Sequence, residues 1–178
     1  MNVIPLVTDD VATLEQRALF REVSASRGAV PDLFRAMAHS PEVAKRLSAL
    51  GHTLKYESTL SDRLRESVIL AMAGRWDARY VRNDHELLGR RHGLTEEAVA
   101  RLAAAEPPND APPLERDAVR YLVDLAISGR PRPDLLGRLA EQLDHRALVD
   151  LHVLAGYYTM VALFLNGLAV PIAARKDE

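Results

Sequence analysis

The stretch Ser-Val-Ile-Leu-Ala-Met-Ala at residues 67–73 decides the fold, because it is apolar on almost every face of a helix. A helix that is apolar all round is buried in the protein core. Ser61 and Asp62 supply an N-terminal start signal upstream, and Gly-Arg-Trp-Asp at residues 74–77 interrupts the pattern downstream. The sequence therefore predicts a central buried helix over residues 62–74.

A second helix is predicted directly after this break, over residues 77–92, and Gly93 is placed to end it. With a short connection, the two helices should form an antiparallel hairpin. Glu66 and His85 lie symmetrically about position 75.5, which falls inside the break. Positions equidistant from such a turn lie at about the same height, so these two side chains are expected to face each other.

The apolar face of the second helix also carries His85. A stripe at helical spacing contains Ala78, Val81, His85, Leu88 and His92. A buried carboxylate and imidazole are costly unless each satisfies the other, and such pairs are frequent where protons are transferred. A structural hydrogen bond between two helices would give the same pattern, so the catalytic and the structural interpretations both stay open.

The rest of the chain also has helical periodicity. Further helices are predicted over residues 13–26, 32–38, 41–56, 95–104, 114–128, 133–143 and 146–168. Ser40 is expected to cap the third helix with its hydroxyl, and Gly156 is expected to allow close approach of a neighbouring backbone. The proline-rich segment at residues 106–113 is interpreted as a rigid loop inside one all-α domain spanning residues 1–178, with its core at about 28–171.

Composition narrows the functional classes. The 178 residues carry a formal net charge of -2 without a basic block, which argues against nucleic acid and favours a small-molecule partner. The absence of cysteine excludes disulfides and thiolate chemistry. No basic N-terminal leader and no uninterrupted apolar run of about 18 residues is present, so a cytoplasmic location without membrane insertion is expected. No two-histidine spacing suggests a metal, and no metal or cofactor is predicted.

Several segments together resemble the carboxymuconolactone decarboxylase and alkylhydroperoxidase D-like family. They are Pro-Asp-Leu-Phe-Arg-Ala-Met-Ala-His-Ser-Pro at 31–41, Leu-Ser-Asp-Arg-Leu-Arg-Glu at 60–66, Asp-His-Glu at 84–86, His-Gly-Leu-Thr-Glu-Glu at 92–97 and Gly-Tyr-Tyr-Thr-Met-Val-Ala-Leu-Phe-Leu-Asn at 156–166. The resemblance covers about residues 28–171. It implies an all-α helical bundle and assembly into trimers or hexamers, in agreement with the excess of apolar helix faces.

The resemblance also implies a site. In the alkylhydroperoxidase branch a glutamate is followed by a Cys-x-x-Cys pair and a histidine, and here the glutamate and histidine match Glu66 and His85. The two cysteine positions hold Ala78 and Val81, and Tyr80 stands at a position between them that is often histidine. The proton-transfer half of the site is thus retained, while the thiol peroxidase half is absent.

The decarboxylase branch needs no thiol, since it protonates a carbon as carbon dioxide leaves. We therefore expect a cofactor-independent, lyase-like enzyme for a small carboxylated lactone or a quinone-type or other aromatic substrate; the alternative is a binding or assembly protein without turnover. Glu66 and His85 are the predicted catalytic residues. Those expected to contact substrate are Trp76, Tyr80, Arg82, His152 and Tyr157, with Arg79 a second choice for a carboxylate clamp.

Overall fold

Residues 3–171 are described by a computed structural model, and all their regular elements are α-helices. The helices in this part of the chain are α1 (Leu14–Arg27), α2 (Asp32–Met37), α3 (Pro41–Tyr56), α4 (Asp62–Arg75), α5 (Arg79–Arg91), α6 (Glu96–Ala103), α7 (Pro113–Ser128), α8 (Pro133–Gln142) and α9 (His145–Gly167). The predicted all-α fold is confirmed, with helix ends within one or two residues of those expected.

Tertiary contacts divide the chain into two compact units. Unit 1 contains residues up to 57 and from 164 onward, and unit 2 contains residues 58–163. The proline-rich segment at 106–113 therefore lies inside unit 2, as a connection between α6 and α7. The expectation that residues 1–178 form one domain stays a prediction.

In unit 1, α1, α2 and α3 pack on one another. The side chain of Thr13 accepts from the backbone N–H of Gln16, whose amide side chain accepts from the N–H of Thr13, so that α1 begins with a capping box. Gly28 ends α1 in the left-handed region at φ 79°. The prediction for Ser40 was wrong, because its hydroxyl makes no capping hydrogen bond; Pro41 at the first helical position removes one of the donors that needs a cap.

Unit 2 is built around α4, which contacts α5, α6 and α7. All ten residues from 64 to 73 are buried, as the apolar stretch predicted. The connection between α4 and α5 turns at Asp77, which has a φ of 46°. The expected helical hairpin is thus present, and its two helices are in contact.

Buried polar side chains fix the neighbours of α4. Glu115 on α7 accepts hydrogen bonds from Arg63 Nε at 2.8 Å and Ser67 Oγ at 3.0 Å, both on α4. On the far side of α7, Asp117 accepts from Arg138 of α8 at 2.7 and 3.2 Å, and this contact holds the pKa of the Asp117 carboxyl below its usual range. These paired charges replace the hydration that α7 loses on packing.

Helix α9 meets the criteria of length and apolar composition for a membrane span, and no other helix within residues 3–171 does so. The core helix of a soluble protein meets the same criteria, and 39% of the most apolar window is buried here. Its polar side chains also bond inside unit 2: Thr159 accepts from Trp76 Nε1 at 3.2 Å, and His152 Nε2 lies 3.1 Å from the Tyr121 hydroxyl. These hydrogen bonds tie one side of α9 to its neighbours in unit 2, and the cytoplasmic location stays a prediction.

The role expected for Gly156 was wrong. A methyl group built on its Cα would meet no atom within 4 Å, so no backbone of the described residues packs against it. The close approach occurs instead at Gly74 near the end of α4, where a Cβ would lie 2.4 Å from the carbonyl oxygen of Leu102 and 2.6 Å from that of Ala103. Glycine at position 74 therefore permits the contact between α4 and the end of α6.

We predict that Gly74→Ala destabilises unit 2 by roughly 1–3 kcal/mol, because the rigid backbone of α6 must move to admit the methyl group. Thermal and denaturant unfolding measure the change. Gly137→Ala on α8 is the matched control: its methyl group enters open space, so the better helix propensity of alanine should raise stability by up to about 1 kcal/mol. Equal stability of the two variants would contradict the packing described for Gly74.

Candidate functional site

Three side chains of unit 2 form a hydrogen-bonded chain that we call the relay: Glu66 on α4, His85 on α5 and Tyr158 on α9. Glu66 Oε2 lies 2.7 Å from His85 Nδ1, and His85 Nε2 lies 3.1 Å from the Tyr158 hydroxyl. The predicted contact between Glu66 and His85 is thus confirmed. The tyrosine ring stands edge-on to the imidazole, with 5.1 Å between ring centroids.

Burial increases from one end of the relay to the other. The Glu66 side chain is 2% exposed and that of His85 is 13% exposed, so the carboxylate is shut off from water while the imidazole reaches it at one edge. A carboxylate in this position needs a partner, since its hydration is lost. His85 Nδ1 meets that need and fixes the orientation of the ring.

A second charge lies beside the buried carboxylate. Arg65 Nε is 3.8 Å from Glu66 Oε1, and the same guanidinium pairs with Asp62 through its Nη2 at 2.7 Å. Arg65 is itself buried, and its Nε has no hydrogen-bond partner within the described residues. Arg65 is not among the predicted site residues, although its position next to Glu66 on an apolar helix is a usable signal.

The residues predicted to contact substrate are spread over several places. Trp76 at the end of α4 donates to Thr159 of α9, and Tyr157 is buried with its ring edge-on to that of Tyr158. Tyr80 is partly exposed in the first turn of α5. Arg82 is paired with Asp77 at 3.6 Å, so its use as a carboxylate clamp would require exchange of that partner.

His152 lies at a different place from the relay, in the wall of a cavity of about 220 Å³ formed by α4, α7 and α9. Thr159 also lines this cavity, whereas Glu66, His85 and Tyr158 do not. The expectation that the Glu66–His85 pair ends an apolar pocket therefore stays a prediction.

The two positions at which the sequence resemblance implied cysteine, Ala78 and Val81, are filled by packing. Ala78 is fully buried and Val81 is 3% exposed, so both side chains belong to the core beside α4. Within residues 3–171, no group of three or more His, Cys, Asp or Glu side chains is placed to hold a metal ion.

We predict that the neutral imidazole of His85 carries its proton on Nδ1. An ionised Glu66 accepts from Nδ1, which leaves Nε2 to accept from the Tyr158 hydroxyl. Long-range ¹H–¹⁵N spectra of the chain should therefore show Nδ1 protonated and Nε2 bare at a pH where the ring is neutral. The opposite tautomer would rule out this direction of hydrogen bonding, and Tyr158→Phe should alter the Nε2 shift most.

The sequence matches no protein-family model and no curated protein, whereas the structure has close neighbours among solved structures. A peroxidase-related protein from Ralstonia eutropha JMP134, described as an alkylhydroperoxidase AhpD core, has a TM-score of 0.78 at 17% identity over 96% of this chain and 91% of its own. A peroxidase-related protein from Silicibacter sp. TM1040 has a TM-score of 0.77 at 18% identity over 96% and 93%.

A third neighbour is an enzyme, the debrominase Bmp8. Its cysteine-to-alanine variant, in complex with 2,3,4-tribromopyrrole, has a TM-score of 0.76 at 14% identity and covers 98% of this chain and 92% of its own. These three neighbours align along almost the whole length of the chain. The chain therefore has the alkylhydroperoxidase D-like fold that the sequence resemblance implied.

Proposed function

We propose that this protein is a cofactor-independent acid and base catalyst of the lyase type, acting on a small carboxylated lactone or a quinone-type or other aromatic substrate through Glu66, His85 and Tyr158. The observation that supports the proposal most is the continuous hydrogen-bonded chain from a buried carboxylate to a phenol, with contacts of 2.7 and 3.1 Å. Such a chain can move a proton without a thiol or a metal.

His85 bonds to Glu66 through one ring nitrogen and to Tyr158 through the other, so its ring can pass a proton along the chain. When a proton moves towards Glu66, the Tyr158 hydroxyl gives it to His85 Nε2, and the nearby Glu66 carboxylate stabilises the resulting imidazolium. In a decarboxylation, a proton must replace the departing carbon dioxide at the substrate carbon. An imidazolium at His85 supplies it through the Tyr158 hydroxyl, and the ring regains a proton from water at its exposed edge.

The structural neighbours support an enzymatic role for this fold. Bmp8 is a debrominase, and its solved complex contains a small halogenated ring. A brominated pyrrole is a compact aromatic molecule, which is the size class proposed for the substrate here. Because this chain has no cysteine, its chemistry would rely on proton transfer rather than on a thiol.

We predict that His85→Ala and Glu66→Gln each lower kcat by about 100-fold or more, the usual range for loss of a general acid or base. The assay follows loss of carboxymuconolactone and of a panel of small carboxylated lactones and quinones by absorbance and chromatography. Tyr158→Phe should lower kcat as well, while leaving the Glu66–His85 hydrogen bond in place.

Glu115→Gln is the matched control, because Glu115 is an equally buried carboxylate of unit 2 that lies outside the relay. It should reduce stability by about 1–3 kcal/mol and leave kcat unchanged. If the relay variants lose only stability, the pair is structural. If the unaltered chain binds panel compounds but turns over none, the alternative of a binding protein without catalysis replaces the proposal.

We also propose that copies of the chain associate through one face of α9. Four large apolar side chains on this helix are exposed, namely Val149, Val153, Met160 and Leu163. With Gly156 between them they are spaced by four, three, four and three residues, the heptad pattern of helices that pack against each other. An exposed stripe of this kind is typical of an interaction face.

Light scattering at micromolar concentration should report a trimer or hexamer, and Leu163→Glu should shift the mass towards the monomer, because it places a charge in the apolar stripe. Val43→Glu on α3 is the control, since Val43 is equally exposed but lies on another helix, in unit 1. A monomeric unaltered chain would contradict the assembly, and loss of mass in both variants would contradict its assignment to α9.

A further inference from the structure

The cavity of unit 2 is a second feature with chemical character, separate from the relay. Its volume is about 220 Å³ and it is partly open to solvent. Its walls come from three helices and are mostly apolar, with Met72 from α4, Leu122 and Leu125 from α7, and Ala155 and Gly156 from α9. Of the described residues, two with polar side chains line it, His152 and Thr159.

Both polar side chains already have protein partners. His152 Nδ1 lies 2.7 Å from the carbonyl oxygen of Leu148, and its Nε2 lies 3.1 Å from the Tyr121 hydroxyl. Thr159 Oγ1 accepts from Trp76 Nε1 at 3.2 Å and approaches the sulfur of Met72 at 3.9 Å. A ligand in the cavity therefore meets hydrogen-bonding groups that are already satisfied.

Among residues 3–171, no Lys, Arg, Asp or Glu lines the cavity. Burial raises the pKa of Tyr121 behind His152, which keeps that phenol neutral. An anionic ligand would give up its hydration and find no cation in return, at a cost that a neutral ring does not bear. The cavity thus selects against the carboxylate that the relay's decarboxylase reaction would require.

We propose that this cavity binds a neutral, apolar ring compound. An engineered apolar cavity of about 150 Å³ binds benzene, whereas pockets for drug-sized ligands are of about 300 Å³ or more. A volume of about 220 Å³ therefore suits one substituted ring. This binding site is independent of the catalytic role proposed for Glu66 and His85, because no relay residue lines it.

Gly156 gives direct access to the cavity for a test. A Cβ at this position meets no atom within 4 Å, so a larger side chain can enter the open space without displacing the protein. Gly156→Leu should fill the cavity from α9, and Ala126→Leu should fill it from the opposite wall on α7. Gly137→Leu on α8 is the matched control, since its Cβ also meets open space but the residue does not line the cavity.

The probes are nitrobenzene and benzoate, which have nearly the same shape and differ in charge. With ¹³C-methyl methionine labelling, Met72 is the one methionine in the cavity wall, and Met37 in unit 1 serves as an internal reference. Titration with nitrobenzene should shift the Met72 methyl resonance in a saturable manner, and benzoate should bind at least about tenfold more weakly.

Gly156→Leu and Ala126→Leu should each weaken nitrobenzene binding at least about tenfold, whereas Gly137→Leu should leave it unchanged. Light scattering of Gly156→Leu checks that any loss does not come from altered assembly. Equal binding of benzoate would overturn the preference for a neutral ligand. Absence of a Met72 shift, or unweakened binding in both filled variants, would overturn the site itself.

His85→Ala separates this inference from the proposed function. Because His85 does not line the cavity, this variant should bind nitrobenzene as the unaltered chain does, even where turnover is lost. Loss of turnover with retained binding supports both proposals. If the variant retains both turnover and nitrobenzene binding, only the catalytic role of the relay is contradicted. If neither the variant nor the unaltered chain binds nitrobenzene, only the cavity site is contradicted.

Discussion

The burial of α4 is the constraint on which the rest of unit 2 depends. All ten residues from 64 to 73 are buried, and three of them, Arg65, Glu66 and Ser67, are polar. A helix placed in this way cannot hydrate these groups, so each must find a partner on a neighbouring helix or within its own. The partners are Asp62 for Arg65, His85 for Glu66 and Glu115 for Ser67. The positions of α5 and α7 are thus tied to the polar groups of α4.

The sequence predicted the part of the site that is local in the chain. Glu66 and His85 belong to two successive helices joined by a short break, so hairpin symmetry and helical phase were sufficient to place them face to face. Tyr158 is 73 residues from His85. Its helix is apolar on several faces, which leaves no phase by which sequence alone selects Tyr158 over its neighbour Tyr157.

Two further differences between expectation and structure have the same physical origin. A glycine in a helix either admits a neighbouring backbone or leaves open space, and only the position of the neighbour decides between them. At Gly74 the neighbour is the end of α6, and at Gly156 there is a cavity. The volume and lining of that cavity depend on where side chains of α4, α7 and α9 fail to fill space, which no periodic pattern encodes.

The relay and the cavity both have residues on α9, and the helical geometry gives the angle between those residues. Successive residues of an α-helix are turned by about 100°, so Tyr158 lies about 60° around the axis from Ala155 and about 100° from Thr159, both of which line the cavity. The proton-bearing end of the relay and the neutral cavity therefore occupy adjacent faces of one turn.

The packing of α5 against α4 also fixes the geometry of the Glu66–His85 hydrogen bond. With Ala78 and Val81 buried beside α4, both side chains contribute to packing and hold α5 in the phase that points His85 at Glu66. Buried aliphatic groups at these positions bring no hydrogen-bonding requirement of their own. The buried carboxylate then has the imidazole as its hydrogen-bond partner, and the imidazole has the Tyr158 hydroxyl as its second partner.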